Sequence, residues 1–97
     1  MKSLEEIKRT INKHKLFLRE RFKVKSIGVF GSYLRGEQSE ESDIDILVEF
    51  HSTIDLLEFI ELENFLSEML GSKVDLVMKD TLKPRIKNRI LKEAIDL

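Results

Sequence analysis

The sequence of 97 residues has no cysteine, no tryptophan and a single proline. Without cysteine, neither disulfide bonds nor thiolate metal sites are available. Its longest apolar runs are a few residues, far short of the roughly 20 that cross a bilayer. Its first residues are acidic, where a signal peptide has an apolar run. We therefore expect a cytoplasmic protein that does not bind membranes.

The sequence as a whole also lacks a large excess of either positive or negative charge. Seventeen Lys and Arg stand against eighteen Asp and Glu, which leaves a formal net charge of −1. No strong overall field therefore draws the protein to nucleic acid, and no direct nucleic-acid binding is expected.

What is present is an alternation of helical and strand periodicity that fits one compact domain over residues 1–97. The pattern predicts helices over residues 3–22, 54–70 and from Pro84 onward, and strands over residues 24–30, 43–50 and 73–78. Ser3 with Glu6 has capping-box spacing, and the middle helix has Ser52 or Thr53 available at its start and Gly71 at its end. The expected fold is α/β, with a small three-stranded mixed sheet flanked by helices; the periodicity leaves the strand order open.

Three aspartates stand inside strand-like segments, although aspartate is a poor strand former. Asp43 and Asp45 flank Ile44, so strand alternation puts both on one face, about 6 to 7 Å apart. Asp75 has a similar place in Lys-Val-Asp-Leu-Val. If its strand neighbours the other, three carboxylates converge, and each pair about 5 Å apart repels by roughly 3 kcal/mol at an effective dielectric near 20.

A divalent cation relieves this repulsion, and Mg²⁺ prefers hard oxygen ligands of this kind. The aspartates therefore predict a site for one or two metal ions that can hold a triphosphate. A simpler interpretation stays open for each of them, in which the carboxylate caps the next turn or pairs with a nearby lysine such as Lys73.

Gly31 and Ser32 follow the first strand, where the chain is expected to enter a short helical turn. Glycine lets backbone N–H groups approach a phosphate closely, a helix N-terminus favours anions, and the serine hydroxyl adds a donor. Arg35, one helical turn later, can reach the same phosphate with its planar guanidinium. Alone, Gly-Ser after a strand is an ordinary turn; beside the aspartates it predicts a phosphate-binding loop.

Two features of the C-terminal segment have both a structural and a functional interpretation. From Pro84 onward an apolar stripe is predicted along the helix, formed by Ile86, Ile90, Leu91, Ala94 and Ile95. The segment is also basic, and its cations can face either solvent or a triphosphate: Lys79, Lys83, Arg85, Lys87, Arg89 and Lys92. A solvated face is the favoured interpretation, with Lys79 and Lys83 nearest the expected site.

Taken together, these motifs resemble the polymerase-β-like nucleotidyltransferase superfamily in one run: Gly31-Ser32-Tyr33-Leu34-Arg35-Gly36, six polar residues, then Asp43-Ile44-Asp45. Asp75 fits the third acid of that pattern. The Arg-Gly after Gly-Ser, the serine before the first aspartate and the segment Leu82 to Pro84 look like the minimal nucleotidyltransferase (MNT) subgroup. The resemblance extends from about Ile27 to Leu97 and implies a polymerase-β-like core.

This resemblance implies a nucleotidyltransferase that moves a nucleoside monophosphate, AMP from ATP, onto a hydroxyl group. Gly31, Ser32 and Arg35 would bind the nucleotide. Asp43, Asp45 and Asp75 would be the catalytic residues and the ligands of one or two Mg²⁺ ions, with Asp75 also helping to activate the acceptor. The resemblance further implies an antitoxin of a HEPN/MNT toxin–antitoxin pair, with a helical HEPN toxin as partner and one of its tyrosines as acceptor.

Two other functions remain open at this stage. One is a non-catalytic antitoxin that neutralises its partner by occlusion. Such a protein would not need the three aspartates and the Gly-Ser pair, which are intact in this sequence. The other is a small-molecule adenylyltransferase of the antibiotic-modifying kind. Larger superfamily members carry an additional domain that grips base and acceptor, and we expect no such domain after Asp75 in this sequence. That favours a protein acceptor.

Overall fold

The computed structural model describes residues 3–31 and 43–97. The helices and strands in chain order are α1 (Leu4–Lys13), α2 (Lys15–Phe22), β1 (Val24–Phe30), β2 (Ile44–Phe50), α3 (Leu56–Leu70), β3 (Val74–Met78), α4 (Pro84–Glu93) and β4 (Ile95–Asp96). A 3₁₀ turn at Lys79–Thr81 joins β3 to α4. No helix within these two ranges is long and apolar enough to cross a membrane.

The strands form one sheet in the order β3-β2-β1-β4. β1 runs antiparallel to β2, and β2 runs parallel to β3, so the expected mixed sheet is confirmed. A parallel pair needs a crossover connection, which α3 provides. The two-residue β4 was not predicted, because the sequence pattern assigned Ile95 to the last helix; it pairs instead with Val29 of β1.

The hydrophobic core lies on the face of the sheet that carries Ile44, Ile46 and Val48, each at most 1% exposed. Helices α1, α2 and α3 bury their apolar sides against it. Full burial of one such side chain contributes about 1.5–3 kcal/mol. The buried cluster comprises Ile7, Ile11, Leu18, Phe22, Val24, Ile27, Val29, Ile44, Ile46, Val48, Leu62, Leu66, Leu70, Val74, Leu76 and Leu97.

A register shift in β1 keeps the first strand in this core. The pairing of β1 with β2 jumps between Val24 and Ser26, which leaves Lys25 as an extra residue. A bulge of this kind changes the alternation of faces at one point. Val24 and Ile27, three residues apart, are therefore both buried on the helix side of the sheet.

The segment predicted as one helix over residues 3–22 is two helices that meet at His14. Ser3 caps the first one, since its hydroxyl oxygen accepts a hydrogen bond from the Glu6 N–H at 3.2 Å. Ile7 and Ile11 are buried in α1, and an unbroken helix would turn residues 14 and 15, a histidine and a lysine, toward the same face. The break leaves Lys15 exposed, while the His14 ring stays half-buried with its centroid 6.2 Å from that of Phe65, and α2 buries Leu18 and Phe22.

Helix α3 begins and ends with identifiable caps. Its N-cap is Asp55, whose Oδ1 accepts a hydrogen bond from the Glu58 N–H at 2.8 Å. The prediction of Ser52 or Thr53 was wrong, because the helix starts at Leu56 and only residue 55 is placed to accept from its first turn. At the other end Gly71 adopts a left-handed conformation with φ 67°, as predicted for a C-cap.

Helix α4 differs from the others because it has no fully buried residue. Pro84 occupies its first turn as predicted, where the missing N–H costs no hydrogen bond. The helix ends at Glu93, so only the first part of the predicted apolar stripe belongs to it, and its Ile86 remains 49% exposed. The apolar side of α4 therefore faces something other than the core.

The cap assignment leads to a stability prediction. Replacing Asp55 with alanine removes the acceptor of the Glu58 N–H and should lower the free energy of unfolding by about 1 kcal/mol. The measurement is urea denaturation followed by circular dichroism. Thr53→Ala is the matched control and should change stability by less than about 0.5 kcal/mol, the usual range for a surface substitution. An equal loss in both variants would show that Asp55 is not the cap.

Candidate active site

Two of the predicted site aspartates lie side by side on neighbouring strands. In the parallel pairing of β2 with β3, Asp45 is the direct partner of Asp75. The strands are roughly 4.8 Å apart at such a position, and paired residues point to the same face. Ile44 and Ile46 on either side of Asp45 are buried on the opposite, helix-covered face. The alternation predicted from the sequence thus keeps both carboxylates out of the core.

Asp43 stands one residue before β2 and has a different neighbourhood. Its Oδ2 lies 3.9 Å from Nζ of Lys73, in an ion pair whose side chains are 41% and 80% exposed. An ion pair this exposed contributes between nothing and about 1 kcal/mol. The simpler interpretation of a lysine pairing therefore applies to Asp43, and a weak pair of this kind leaves the carboxylate available to another cation.

Gly31 closes β1 directly against Asp45. Its φ of 80° lies in the left-handed region, which glycine adopts without steric cost. A Cβ placed on this residue would come 2.9 Å from Cγ of Asp45, closer than real Cβ contacts allow. Only glycine therefore lets the chain leave the strand at this point while the Asp45 carboxylate keeps its position.

An open cleft of about 380 Å³ brings Gly31, Asp45 and Asp75 together. One wall is the face of the sheet that does not carry the core. The other wall is α4, which contributes four residues at the spacing of a single helical stripe. The lining residues are Phe30, Gly31, Asp45, Asp75, Val77, Leu82, Ile86, Arg89, Ile90 and Glu93.

The part played by α4 in this cleft was missed in the sequence. Ile86, Arg89, Ile90 and Glu93 follow the spacing i, i+3, i+4, i+7, so they share one side of the helix. Periodicity revealed an apolar stripe but not what it faces. The signal that was present is the interruption of that stripe by Arg89 and Glu93, since charged residues are seldom buried in a core.

The basic residues of the C-terminal segment lie in different places in the structure, and not all of them line the aspartate cleft. Nζ of Lys79, expected near the site, lies 3.8 Å from Oε1 of Glu49. Lys83, also expected there, lines a separate groove with Arg85 beyond the start of α4. Among the described residues that line the aspartate cleft, Arg89 is the one basic side chain.

The described residues of the cleft offer two carboxylates to Mg²⁺ rather than a complete set of protein ligands. Within residues 3–31 and 43–97, no three His, Asp or Glu side chains are grouped closely enough to hold a metal ion. However, Mg²⁺ is commonly bound by one or two carboxylates, with water and substrate phosphates completing its octahedral shell. Asp45 and Asp75, paired across two strands, fit that mode of binding.

Two predicted nucleotide-binding residues, Ser32 and Arg35, lie outside the described residues. The same holds for the short helical turn expected at Tyr33 to Gly36. Of the six predicted site residues, the structure thus brings Gly31, Asp45 and Asp75 into one cleft.

Comparison with known proteins gives consistent results. The nucleotidyltransferase domain family matches residues 11–97. The protein adenylyltransferase MntA of Thermococcus cleftensis is 55% identical over 95 residues, which are 98% of this chain and 96% of that protein.

Two solved structures have the same fold. One is a toxin–antitoxin crystallised with AMP-PNP; the superposition has a TM-score of 0.72 at 34% identity and covers 88% of this chain and 69% of that one. The other contains a tri-AMPylated HEPN toxin of Shewanella oneidensis with its MNT antitoxin; its TM-score is 0.68 at 28% identity, over 93% of this chain and 70% of that one.

The resemblance drawn from the Gly-Ser and aspartate motifs is thereby confirmed. The match includes every residue that lines the cleft, from Phe30 to Glu93. The chain belongs to the nucleotidyltransferase domain family.

Proposed function

We propose that this nucleotidyltransferase transfers AMP from ATP onto a tyrosine hydroxyl of a HEPN toxin, and so acts as an antitoxin in the cytoplasm. The observation that carries the proposal is the in-register pair Asp45 and Asp75 in an open cleft that Gly31 also lines. Two carboxylates in the same register position are unfavourable for folding alone, which is a reason to expect a cationic ligand there.

The relatives support the choice of nucleotide and acceptor. A neighbour with 34% identity binds AMP-PNP, an analogue of ATP, and another stands in complex with an AMPylated HEPN toxin. The relative MntA, which matches this chain over almost its whole length, is a protein adenylyltransferase. A protein acceptor is also the simplest match for a cleft that is open to solvent along one side.

In the proposed reaction the acceptor oxygen forms a bond to the α-phosphorus of ATP. The bond from that phosphorus to the α,β-bridging oxygen breaks, and pyrophosphate leaves. The Asp75 carboxylate, which is exposed at the cleft, accepts the proton of the acceptor hydroxyl. The backbone at Gly31, with Ser32 and Arg35, binds the triphosphate and orients its α-phosphorus toward the acceptor.

Asp43, Asp45 and Asp75 would hold one or two Mg²⁺ ions. A bound Mg²⁺ supplies neutralisation of the charge on the phosphates and lowers the pKa of a coordinated hydroxyl. Asp45 is held for this role by Gly31 on one side and by the paired strand β3 on the other.

The first test follows the transfer of label from α-³²P-ATP to a HEPN toxin co-expressed with this chain. Asp45→Asn should reduce the transfer at least about 100-fold, because the lost carboxylate contributes several kcal/mol and each 1.36 kcal/mol is a factor of ten. Asp80→Asn, an exposed aspartate outside the cleft, is the control and should transfer label as wild type does.

Either of two other outcomes would change the assignment. If wild type transfers no label while the complex still forms, the chain is a non-catalytic antitoxin. If label appears on an aminoglycoside rather than on the partner, it is a small-molecule adenylyltransferase.

Metal removal gives a second test of the same site. Dialysis against EDTA should abolish the transfer of label, and Mg²⁺ added back should restore it. Circular dichroism should be unchanged throughout, since the core carries no metal-dependent contact. Full activity in EDTA would refute the proposed role of the aspartates.

The close approach of Gly31 to Asp45 gives a third test. Gly31→Ala places a methyl group against the Asp45 carboxylate and forces a left-handed backbone on alanine, so we expect transfer activity to be lost along with about 1–2 kcal/mol of stability. Gly71→Ala is the matched control, because Gly71 also has a positive φ but caps α3. It should lose about 1 kcal/mol of stability and keep its activity. Equal activities in the two variants would show that Gly31 does not position Asp45.

A further inference from the structure

We propose that Arg89 binds the phosphate chain of the nucleotide from the α4 side of the cleft, and that Glu93 holds its guanidinium while no nucleotide is bound. The inference rests on the proposed function and adds to it a residue outside the sequence motifs. It assigns α4 to the binding of the nucleotide.

Arg89 lies on the side of α4 that faces the cleft. It belongs to the stripe of Ile86, Arg89, Ile90 and Glu93 that lines the cleft, opposite Asp45 and Asp75. No residue of α4 is fully buried, so this side of the helix is directed at the cleft rather than at the core. A charged residue in the middle of such a stripe is explained by a ligand of opposite charge.

Along the cleft, Arg89 lies toward the end where Gly31 is. Leu82 follows β3, so α4 begins beyond Met78, at the end of that strand away from Asp75. Ile95, two residues after α4, pairs with Val29, so the helix ends beside the end of β1, where Gly31 lies. Arg89 is one turn before Glu93 and therefore nearer the Gly31 end, which is the phosphate-binding end of the proposed site.

The charge of the cleft also favours Arg89 as a ligand of phosphate. The described lining of the cleft carries three acids, Asp45, Asp75 and Glu93, and Arg89 is its single base. A triphosphate entering this lining meets net negative charge, and bound Mg²⁺ offsets only part of the repulsion. Arginine is suited to offset the rest of this repulsion, because its planar guanidinium binds two phosphate oxygens at once.

The present partner of Arg89 is one that a phosphate can replace. Nε of Arg89 lies 3.6 Å from Oε1 of Glu93, beyond ordinary hydrogen-bond length, and the arginine side chain is 76% exposed. Exposed pairs of this kind are weak. Glu93 thus keeps the guanidinium at the edge of the cleft without binding it firmly.

The test is calorimetric titration of the full chain in the presence of Mg²⁺, once with α,β-methylene-ATP and once with AMP. The methylene bridge of the analogue prevents turnover. Arg89→Ala should raise the Kd of the triphosphate analogue about 10- to 100-fold, the size of one charge-assisted hydrogen-bonded pair, and change that of AMP by less than about 2-fold. Arg89→Lys, which keeps the charge and loses the fork, should fall between wild type and alanine.

Arg85→Ala is the matched control, since Arg85 lies one turn earlier on α4 and lines a different groove. It should bind both nucleotides as wild type does. The proposal is overturned if Arg89→Ala binds the analogue normally, or if it weakens AMP and the analogue equally, which would indicate a structural effect. Arg89→Lys decides the matter if the alanine variant does not fold.

The same experiment distinguishes a failure of the proposed function from a failure of the role proposed for Arg89. If wild type binds no nucleotide at all, both proposals are wrong. If wild type binds the analogue, Asp45→Asn weakens that binding and Arg89→Ala does not, the nucleotide site stands and only the role of Arg89 is lost.

Discussion

The in-register parallel pairing of β2 with β3 is the constraint on which the site depends. On one face of this pair Ile44 lies beside Val74 and Ile46 beside Leu76, all buried at 5% exposure or less. Strand side chains alternate with a period of two, so a slip of one residue would exchange the faces and direct aspartates into the core. Burying a carboxylate without a partner costs far more than any gain from the shift. The core therefore fixes Asp45 next to Asp75.

The two faces of the sheet consequently have separate tasks. Helices α1 to α3 cover the apolar face and supply the burial that keeps the protein folded. Across the opposite face, the described part of the chain places α4, and the cleft between them holds the acids. Gly31 belongs to both parts, because it ends a core strand and at the same time gives the Asp45 carboxylate its room.

Local patterns in the sequence predicted most of this arrangement. Alternation placed Asp43 and Asp45 apart from the buried isoleucines, and the helix caps Ser3 and Gly71 could be read from residue type and spacing. Errors arose where two local solutions compete. Ser52, Thr53 and Asp55 are all good N-caps, and the structure selects Asp55 because α3 begins at Leu56. The break at His14 was missed because Ile11 and Leu18, buried on either side of it, are seven residues apart and so continue one helical period.

Non-local facts were beyond the sequence patterns. The order of strands, and hence the pairing of Asp45 with Asp75, arises from contacts between segments far apart in the chain. Charge pattern identified six basic residues near the C-terminal helix without a means of choosing among them, and those expected nearest the site, Lys79 and Lys83, lie elsewhere. The roles of Ser32 and Arg35 remain predictions.

The attachment of α4 has an evolutionary consequence. Because this helix is fixed by the strands before and after it and contributes no buried side chain, changes on its surface cost little stability. Most substitutions elsewhere in a small domain lower a free energy of unfolding that is only a few kcal/mol. New specificities for nucleotide or acceptor can therefore accumulate on α4 while the sheet and its aspartates stay the same. The scaffold and its recognition surface are free to diverge at different rates.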